Sequence, residues 1–232
     1  MNDVEQTEET RLFFDTAAPG WTSRYSNDNG VSIRKSRFAD AIAGKFARPA
    51  DILDFGCGSG DISLHLSSAG HRLTGYDLSN AMIAEARRAD PNGRVRWLSQ
   101  SDRSEIHLEF ETATFDAIVA SSVFEYLPDV DQTLAELSRL LRPNGWLFAT
   151  VPDMRDPRRR MERWLRVVAM APGLSAILHH SRWREGATYL RISGNRMSPN
   201  VWLQSLRKAG LSPEPLAAAS GPLLLLTARK QP

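Results

Sequence analysis

The chain of 232 residues has a single cysteine, Cys57. That excludes a disulfide framework and a structural zinc site built on cysteines. Long apolar runs are missing as well. The longest candidate, Pro222 to Ala228, is strand-sized, well short of the roughly 18–20 residues that span a bilayer. Neither sign of charge dominates: 29 basic residues stand against 27 acidic ones, for a net charge of +2. That balance speaks against a protein built throughout to coat nucleic acid. Internal repeats and low-complexity tracts are also absent. With 42% hydrophobic and 24% charged residues, the chain can bury most of its apolar surface in one generous domain or one domain with an insertion. Its opening, Met1-Asn2-Asp3-Val4-Glu5, is acidic and polar, unlike a signal peptide. A reduced, cytoplasmic protein is the expectation.

Patterning divides the chain into three parts. Residues 1 to about 12 read as a frayed polar lead-in, and residues 13 to 48 as helical, broken at Pro19-Gly20. Alternation follows. Ile52-Leu53-Asp54-Phe55, Leu73 to Asp77, Val95 to Leu98, Phe115 to Ala120 and Trp146 to Val151 are strand patterns. Helices are expected over Ile62 to Ala69, Ser79 to Ala89 and Asp129 to Leu141. Strand and helix alternating at this spacing means right-handed parallel βαβ units, so a doubly wound α/β sheet covered on both faces is expected. After a helix from Ser198-Pro199 to Gly210, strands at Glu214 to Ala219 and Leu223 to Arg229 are separated by too short a joint for a crossover, so they must pair antiparallel. Residues 152–197 lie outside this rhythm, with helices expected near Arg158 to Ala171 and Leu174 to Arg184.

The most informative stretch is Asp54-Phe55-Gly56-Cys57-Gly58-Ser59-Gly60, which follows a strand and opens a helix. Gly56 and Gly58 allow backbone to approach a ligand closely. The loop falls at the carboxyl end of the first strand, where doubly wound sheets bind ligands, and Asp77 ends the second strand, where a carboxylate can accept from ribose hydroxyls. A dinucleotide site wants Gly-x-Gly-x-x-Gly, whereas the spacing here is Gly56-x-Gly58-x-Gly60. An acid two residues before the first glycine would repel a pyrophosphate and suit an ammonium group. A nucleoside with a cationic amino-acid tail, S-adenosylmethionine, fits better than NAD.

These residues carry a family resemblance. Asp54 to Gly60 resembles motif I of the class I S-adenosylmethionine-dependent methyltransferases of small-molecule type. Asp77-Leu78-Ser79 resembles their second motif, Phe115 to Leu127 their fourth-strand region, and Leu141-Arg142-Pro143-Asn144-Gly145-Trp146-Leu147 the turn before their fifth strand. The closing hairpin is the family's topological mark. The resemblance covers about residues 45–151 and 198–230. It implies a Rossmann-like, seven-stranded, mostly parallel sheet with an antiparallel C-terminal hairpin. The core would be residues 45–151 and 198–232, with a helical cover over 1–44 and a helical insertion over 152–197.

By the same resemblance, S-adenosyl-L-methionine is the cofactor. Gly56 and Gly58, with Gly60 closing the loop, would lie against its methionine part, and Asp54 would face the ammonium. Asp77 would bind the ribose and Leu78 would pack on adenine. Asp102, favoured over Ser101, would bind the adenine amine, and Ser121 would line the cofactor from the other side. Within the cover segment (Phe14, Asp15, Ala17, Trp21, Tyr25), Trp21 or Tyr25 would stand near the transferred methyl. Many relatives have Glu-His where this chain has Glu125-Tyr126, so no catalytic role is carried over there. His179 and His180 are candidates for a general base near neutral pH, set against the plainer reading of surface residues. No metal ligand set is evident, and Cys57 reads as packing inside the loop.

Residues 152–197 hold ten arginines and four acids, a surplus of six positive charges. Arg158-Arg159-Arg160 with Met161, Trp164, Leu165 and Val168 reads as a basic amphipathic helix. A solvated lid face, capture of an anionic substrate, or contact of 155–184 with an anionic membrane surface would each account for it. The expected activity is methyl transfer to an oxygen or nitrogen of a small-molecule or lipid/glycan-type acceptor, without nucleic acid as partner. The expected site is the cytoplasm or the periphery of the inner membrane surface. An RNA methyltransferase and a non-catalytic cofactor-binding subunit are the competing readings. Against the former, the stretch after strand four reads Ser121-Ser122-Val123-Phe124 and carries no Asn/Asp-Pro-Pro-Tyr motif.

Overall fold

The computed structural model describes residues 2–21, 29–99, 108–169, 184–218 and 221–232. Its elements run α1 (Asp3–Ala17), α2 (Asn29–Ala43), β1 (Asp51–Phe55), α3 (Asp61–Ser68), β2 (Arg72–Asp77), α4 (Asn80–Ala89), β3 (Val95–Ser99) and β4 (Phe115–Ser121). A 3-10 turn (Phe124–Tyr126) follows, then α5 (Val130–Leu140), β5 (Leu141–Pro152), α6 (Pro157–Ala169), α7 (Arg184–Ile192), α8 (Pro199–Lys208), β6 (Leu211–Pro213) and β7 (Leu223–Lys230). One seven-stranded sheet has the order β3-β2-β1-β4-β5-β7-β6. The first five strands pair parallel, and β7 pairs antiparallel with both β5 and β6. This is the doubly wound sheet with a closing antiparallel hairpin that the sequence pattern predicts.

Alternating side chains of the central strands feed two cores, one on each face. Leu53, Ile118 and Leu147 join Leu134, Leu137, Leu140 and Trp202 of α5 and α8. Ile52, Ala117 and Phe148 join Phe38, Ile42, Leu66 and Ile83 on the opposite face. Arg142 fastens the strand bottoms, with Nη1 2.9 Å from Asp51 and 2.7 Å from Asp116.

The helix starts follow side-chain capping. Ser79 Oγ accepts from the Met82 amide at 3.0 Å, and Asp129 Oδ1 from the Gln132 amide at 2.8 Å. At Ser198-Pro199 only the proline acts, because the serine side chain makes no cap bond.

Two expectations are corrected, and a third falls outside the described residues. The polar lead-in is helix, not fray. Asn2 accepts from the Glu5 amide at 2.8 Å while Glu5 accepts from the Asn2 amide at 3.0 Å, a reciprocal box that satisfies two orphan donors. Arg11 then bridges Glu8 and Asp15 along the same helix. The sixth strand is Leu211–Pro213 rather than Glu214 to Ala219. Gly210 (φ +77°) delivers buried Leu211 directly to the sheet. Pairing runs out after the Glu214 amide donates to Thr227 at 2.8 Å, since Pro215 has no N–H to continue it. Of the helix expected over Leu174 to Arg184, residues 174–183 lie outside the described part. The described helix, α7, begins where that one was expected to end.

Candidate cofactor and acceptor site

The chain winds from β1 outward to β3, then returns to β4 on the other side of β1. Between the carboxyl ends of β1 and β4 lies the crevice that such a reversal opens. A cavity of about 650 Å³ occupies it, lined on one side by Asp54 to Ser59, Asp77, Leu78 and Met82. Ser121 to Pro128 without Phe124, Thr10, Phe14 and Trp21 of the N-terminal segment, Arg159 of α6 and Tyr189 of α7 are among the other lining residues.

The three loop glycines have left-handed backbone but different reasons for it. A Cβ on Gly58 (φ +53°) would meet nothing within 4 Å, so its missing side chain is open cavity. A Cβ on Gly56 (φ +71°) would lie 2.3 Å from Val123 Cγ2. Gly56 is therefore glycine because the loop packs on the segment after β4, a cause the sequence does not display. Gly60 is not among the cavity's lining residues. It sits under the Trp97 ring, which a Cβ would approach to 2.4 Å.

Of the carboxyls that line this cavity, Asp54 and Asp77 come from strands β1 and β2. Asp54 is 1% exposed. Its Oδ2 accepts from Ser63 Oγ at 2.6 Å, and its Oδ1 has no hydrogen-bond partner among the described residues. Burial, reinforced by the charge of Asp77, pushes its pKa up to about 7. Asp77 accepts from the Gly58 amide at 2.7 Å (Oδ2) and from the Ser79 amide at 2.8 Å (Oδ1). Burial, with a contribution from Asp15, raises its pKa to about 6. Each Asp77 oxygen keeps a second lone pair for a ligand hydroxyl. Ser121 Oγ, at the end of β4, is also buried without a partner among the described residues. The Cys57 thiol is pushed up by burial and stays protonated, which agrees with packing rather than nucleophilic chemistry.

Helix α1 closes the cavity from above. Asp15 accepts from Ser79 Oγ at 2.6 Å and from the Ala81 amide at 3.3 Å, tying α1 to the start of α4 next to Asp77. Gln6 Nε2 donates to the Tyr126 carbonyl at 3.2 Å, and the Phe14 ring meets Tyr126 edge-on at 5.2 Å. Trp21 reaches the cavity and packs on Phe14 at 5.8 Å. Glu9 also pairs with Arg191 of α7.

Sequence-expected residues Asp54, Gly56, Gly58, Asp77, Leu78 and Ser121 thus converge on one cavity, while Gly60 supports it from behind. Tyr25, Asp102, His179 and His180 lie outside the described residues. Thr10 and Tyr189 were not singled out by the sequence, while Glu125 and Arg159 were named there without a place in this cavity. The one signal available was the spacing of Gln6, Thr10 and Phe14, which puts them on one face of a helix. The arginine-rich segment is less free than its composition suggests. Arg155 pairs with Asp153 at 2.8 Å, while Arg159 and Arg196 share Glu162 at 2.8 and 2.5 Å. Among the described residues no group of three His, Cys, Asp or Glu is placed to hold a metal ion.

A cationic nucleoside fits this site on its own chemistry. Unpartnered Asp54 Oδ1 and the raised pKa of both acids call for a positive group or hydrogen-bond donors. Gly58 leaves room for backbone contact, and Leu78 and Met82 offer an apolar wall.

Known proteins agree with this reading. Residues 53–149 match the methyltransferase domain family. The malonyl-[acyl-carrier protein] O-methyltransferase of Enterobacter lignolyticus is 32% identical over 157 residues, 64% of this chain and 58% of that protein. The 2-phytyl-1,4-naphtoquinone methyltransferase of Trichormus variabilis is 30% identical over 168 residues, 68% of this chain and 69% of that one. The chain spans less than two thirds of the length of several curated relatives it matches. Among solved structures, the Burkholderia thailandensis 1,6-didemethyltoxoflavin-N1-methyltransferase superposes with a TM-score of 0.66 at 20% identity, over 100% of this chain and 92% of that one; this likeness shows the shared fold. The chain belongs to the class I S-adenosylmethionine-dependent methyltransferases.

Proposed function

We propose that this protein transfers a methyl group from S-adenosylmethionine to an oxygen atom of a small, largely apolar acceptor of lipid type. The observation that carries the reading is the single cavity that runs from the carboxylates Asp54 and Asp77 to the aromatic wall of Phe14, Tyr126 and Tyr189. Asp54 would face the cofactor's ammonium, Asp77 its ribose, Leu78 its adenine, and Ser121 its opposite side. When bound, the cofactor supplies an electrophilic methyl group on a sulfonium. The protein's task is then to hold the acceptor in line and keep water out. α1 serves the second purpose by covering the cavity through Asp15, Gln6 and Phe14.

Residues 1–44 form the cover in this reading, 152–197 the lid, and the remaining residues the cofactor-binding core. The two curated relatives named above support an acceptor outside nucleic acid, one of them named for a substrate bearing a phytyl chain. A peripheral contact with an anionic membrane surface belongs to the same proposal. On α6, Met161, Trp164, Leu165 and Val167 are exposed, beside exposed Arg158, Arg160 and Arg163, while Arg159, Glu162 and Arg166 turn toward the body. An outward apolar face flanked by arginines is what an interfacial helix presents. Among the described residues no helix is long and apolar enough to cross a membrane.

Calorimetry tests the cofactor, with heat expected for S-adenosylmethionine and none for NADH. Radiolabelled methyl transfer into a host cell extract tests the acceptor, with label expected in the lipid or small-molecule pool. Label confined to nucleic acid or protein would overturn this substrate class.

A further inference from the structure

Away from the glycine loop, the cavity reaches between α1 and the turn after β4, where two buried polar atoms have no hydrogen-bond partner among the described residues. Glu125 is 3% exposed, lines the cavity, and leaves Oε2 without a hydrogen-bond donor among the described residues. Thr10 is 5% exposed, lines the same cavity, and leaves Oγ1 unpartnered among the described residues.

The two face the same space. Gln6, Thr10 and Phe14 follow one another at intervals of four on α1 and so share a face. The outer two both contact Tyr126, through its carbonyl and its ring. Thr10 therefore lies between them, opposite the turn that carries Glu125 and Tyr126.

An orphaned buried polar atom is costly, so two that line one cavity point to a ligand group that satisfies both. The carboxylate only accepts, whereas the threonine hydroxyl both donates and accepts. A hydroxyl group meets both at once, donating to Glu125 and accepting from Thr10. A carbonyl or an ether could not donate to Glu125. The walls around this spot are rings: Phe14 edge-on to Tyr126 at 5.2 Å, and Tyr126 against Tyr189 at 6.3 Å. Flat aromatic ligands pack well against such walls.

We infer that this pocket binds the hydroxyl of an aromatic methyl acceptor, with Glu125 and Thr10 as its hydrogen-bond partners and Glu125 as the group that takes its proton. The inference rests on the methyltransferase reading and specifies its acceptor. The acceptor oxygen keeps the electron pair of its O–H bond and gains the methyl group as the carbon–sulfur pair stays with sulfur. Its proton passes to the Glu125 carboxylate and then to water. Burial raises the affinity of this carboxyl for a proton, against the opposing effects of Arg159, a hydrogen bond with Tyr126 and Arg196, as a proton acceptor requires.

The test uses the whole protein loaded with S-adenosylhomocysteine, with para-cresol and its methyl ether as probes, followed by ligand-observed NMR titration. Para-cresol is expected to bind about tenfold more tightly than the ether, the worth of one hydrogen bond to a charged group. Glu125→Gln should remove that preference while S-adenosylhomocysteine affinity stays at the wild-type value. Thr10→Val, on the opposite wall, should reduce it severalfold without touching the carboxylate. Equal binding of the two probes by wild type, no binding of para-cresol, or an unchanged preference in both variants overturns the inference. Failure of wild type to bind S-adenosylhomocysteine overturns the methyltransferase reading instead.

Discussion

Replacing Asp54 with asparagine should stabilise the ligand-free protein and weaken its hold on cofactor. Asp54 is fully buried, donor-free at Oδ1, and titrates at about 7 instead of the usual 3.8. A carboxyl whose pKa is raised by folding stabilises the fold while protonated, and that contribution is lost as pH rises toward and through the folded value. Between about pH 5 and about pH 8 the loss is close to two pKa units, about 2.5 kcal/mol at 1.36 kcal/mol per unit. Asparagine has the same shape and no charge to desolvate, so Asp54→Asn should escape this loss. For a chain of this length that is a relative shift of roughly 5–10 °C in Tm. Thermal melts of both proteins without ligand, recorded across that pH range, measure it directly. The same substitution should weaken S-adenosylmethionine binding about 10–100-fold at about pH 8, the range for a hydrogen bond to a charged group. Wild-type affinity itself should fall as pH drops through about 7 and about 6, where Asp54 and Asp77 take up protons. Parallel melting curves for the two proteins, or equal affinities at high pH, would show that Asp54 carries neither the strain nor the ligand contact.

Asp77→Asn should lower cofactor affinity by at least about tenfold while leaving a cooperative melt; unchanged affinity in calorimetry refutes the ribose assignment. Asp77→Ala should also lower stability, because the Gly58 and Ser79 amides lose their acceptor. Gly56→Ala should destabilise by about 1–3 kcal/mol through overpacking against Val123, and Val123→Ala should recover part of that in the double variant; strict additivity in denaturant melts contradicts the contact. Gly58→Ala should instead cost mainly cofactor affinity, read by calorimetry, since its Cβ enters open cavity. Asp15→Ala should release α1 from α4 and speed limited proteolysis of the first helix; an unchanged cleavage rate argues that the tie to Ser79 holds nothing.

The sequence alone determined the sheet and the cofactor end of the site. Both depend on local order. Strand-helix alternation forces parallel winding, and the joint before the last strand, three residues as read and nine (214–222) as found, is in either case too short for a crossover helix. Asp54, Gly58 and Asp77 lie at strand ends that the winding brings together. Tertiary structure decided what depends on contacts between distant segments. Gly56 is required by Val123, sixty-seven residues away in the chain, and Gly60 by Trp97. Asn2 and Glu5 start a helix without any apolar pattern to announce it, because capping satisfies backbone donors whether or not a hydrophobic face follows. The arginines of residues 152–197 look like a uniform positive surface in composition. The fold pairs Arg159 and Arg196 with one glutamate and leaves others outside. Thr10 carries no signature in its own segment, and Glu125 is marked only by its place in the stretch after strand four, without a role. Only the packing of α1 across the turn after β4 buries both beside one cavity without a partner, and an unmet hydrogen bond is a property of the assembled fold.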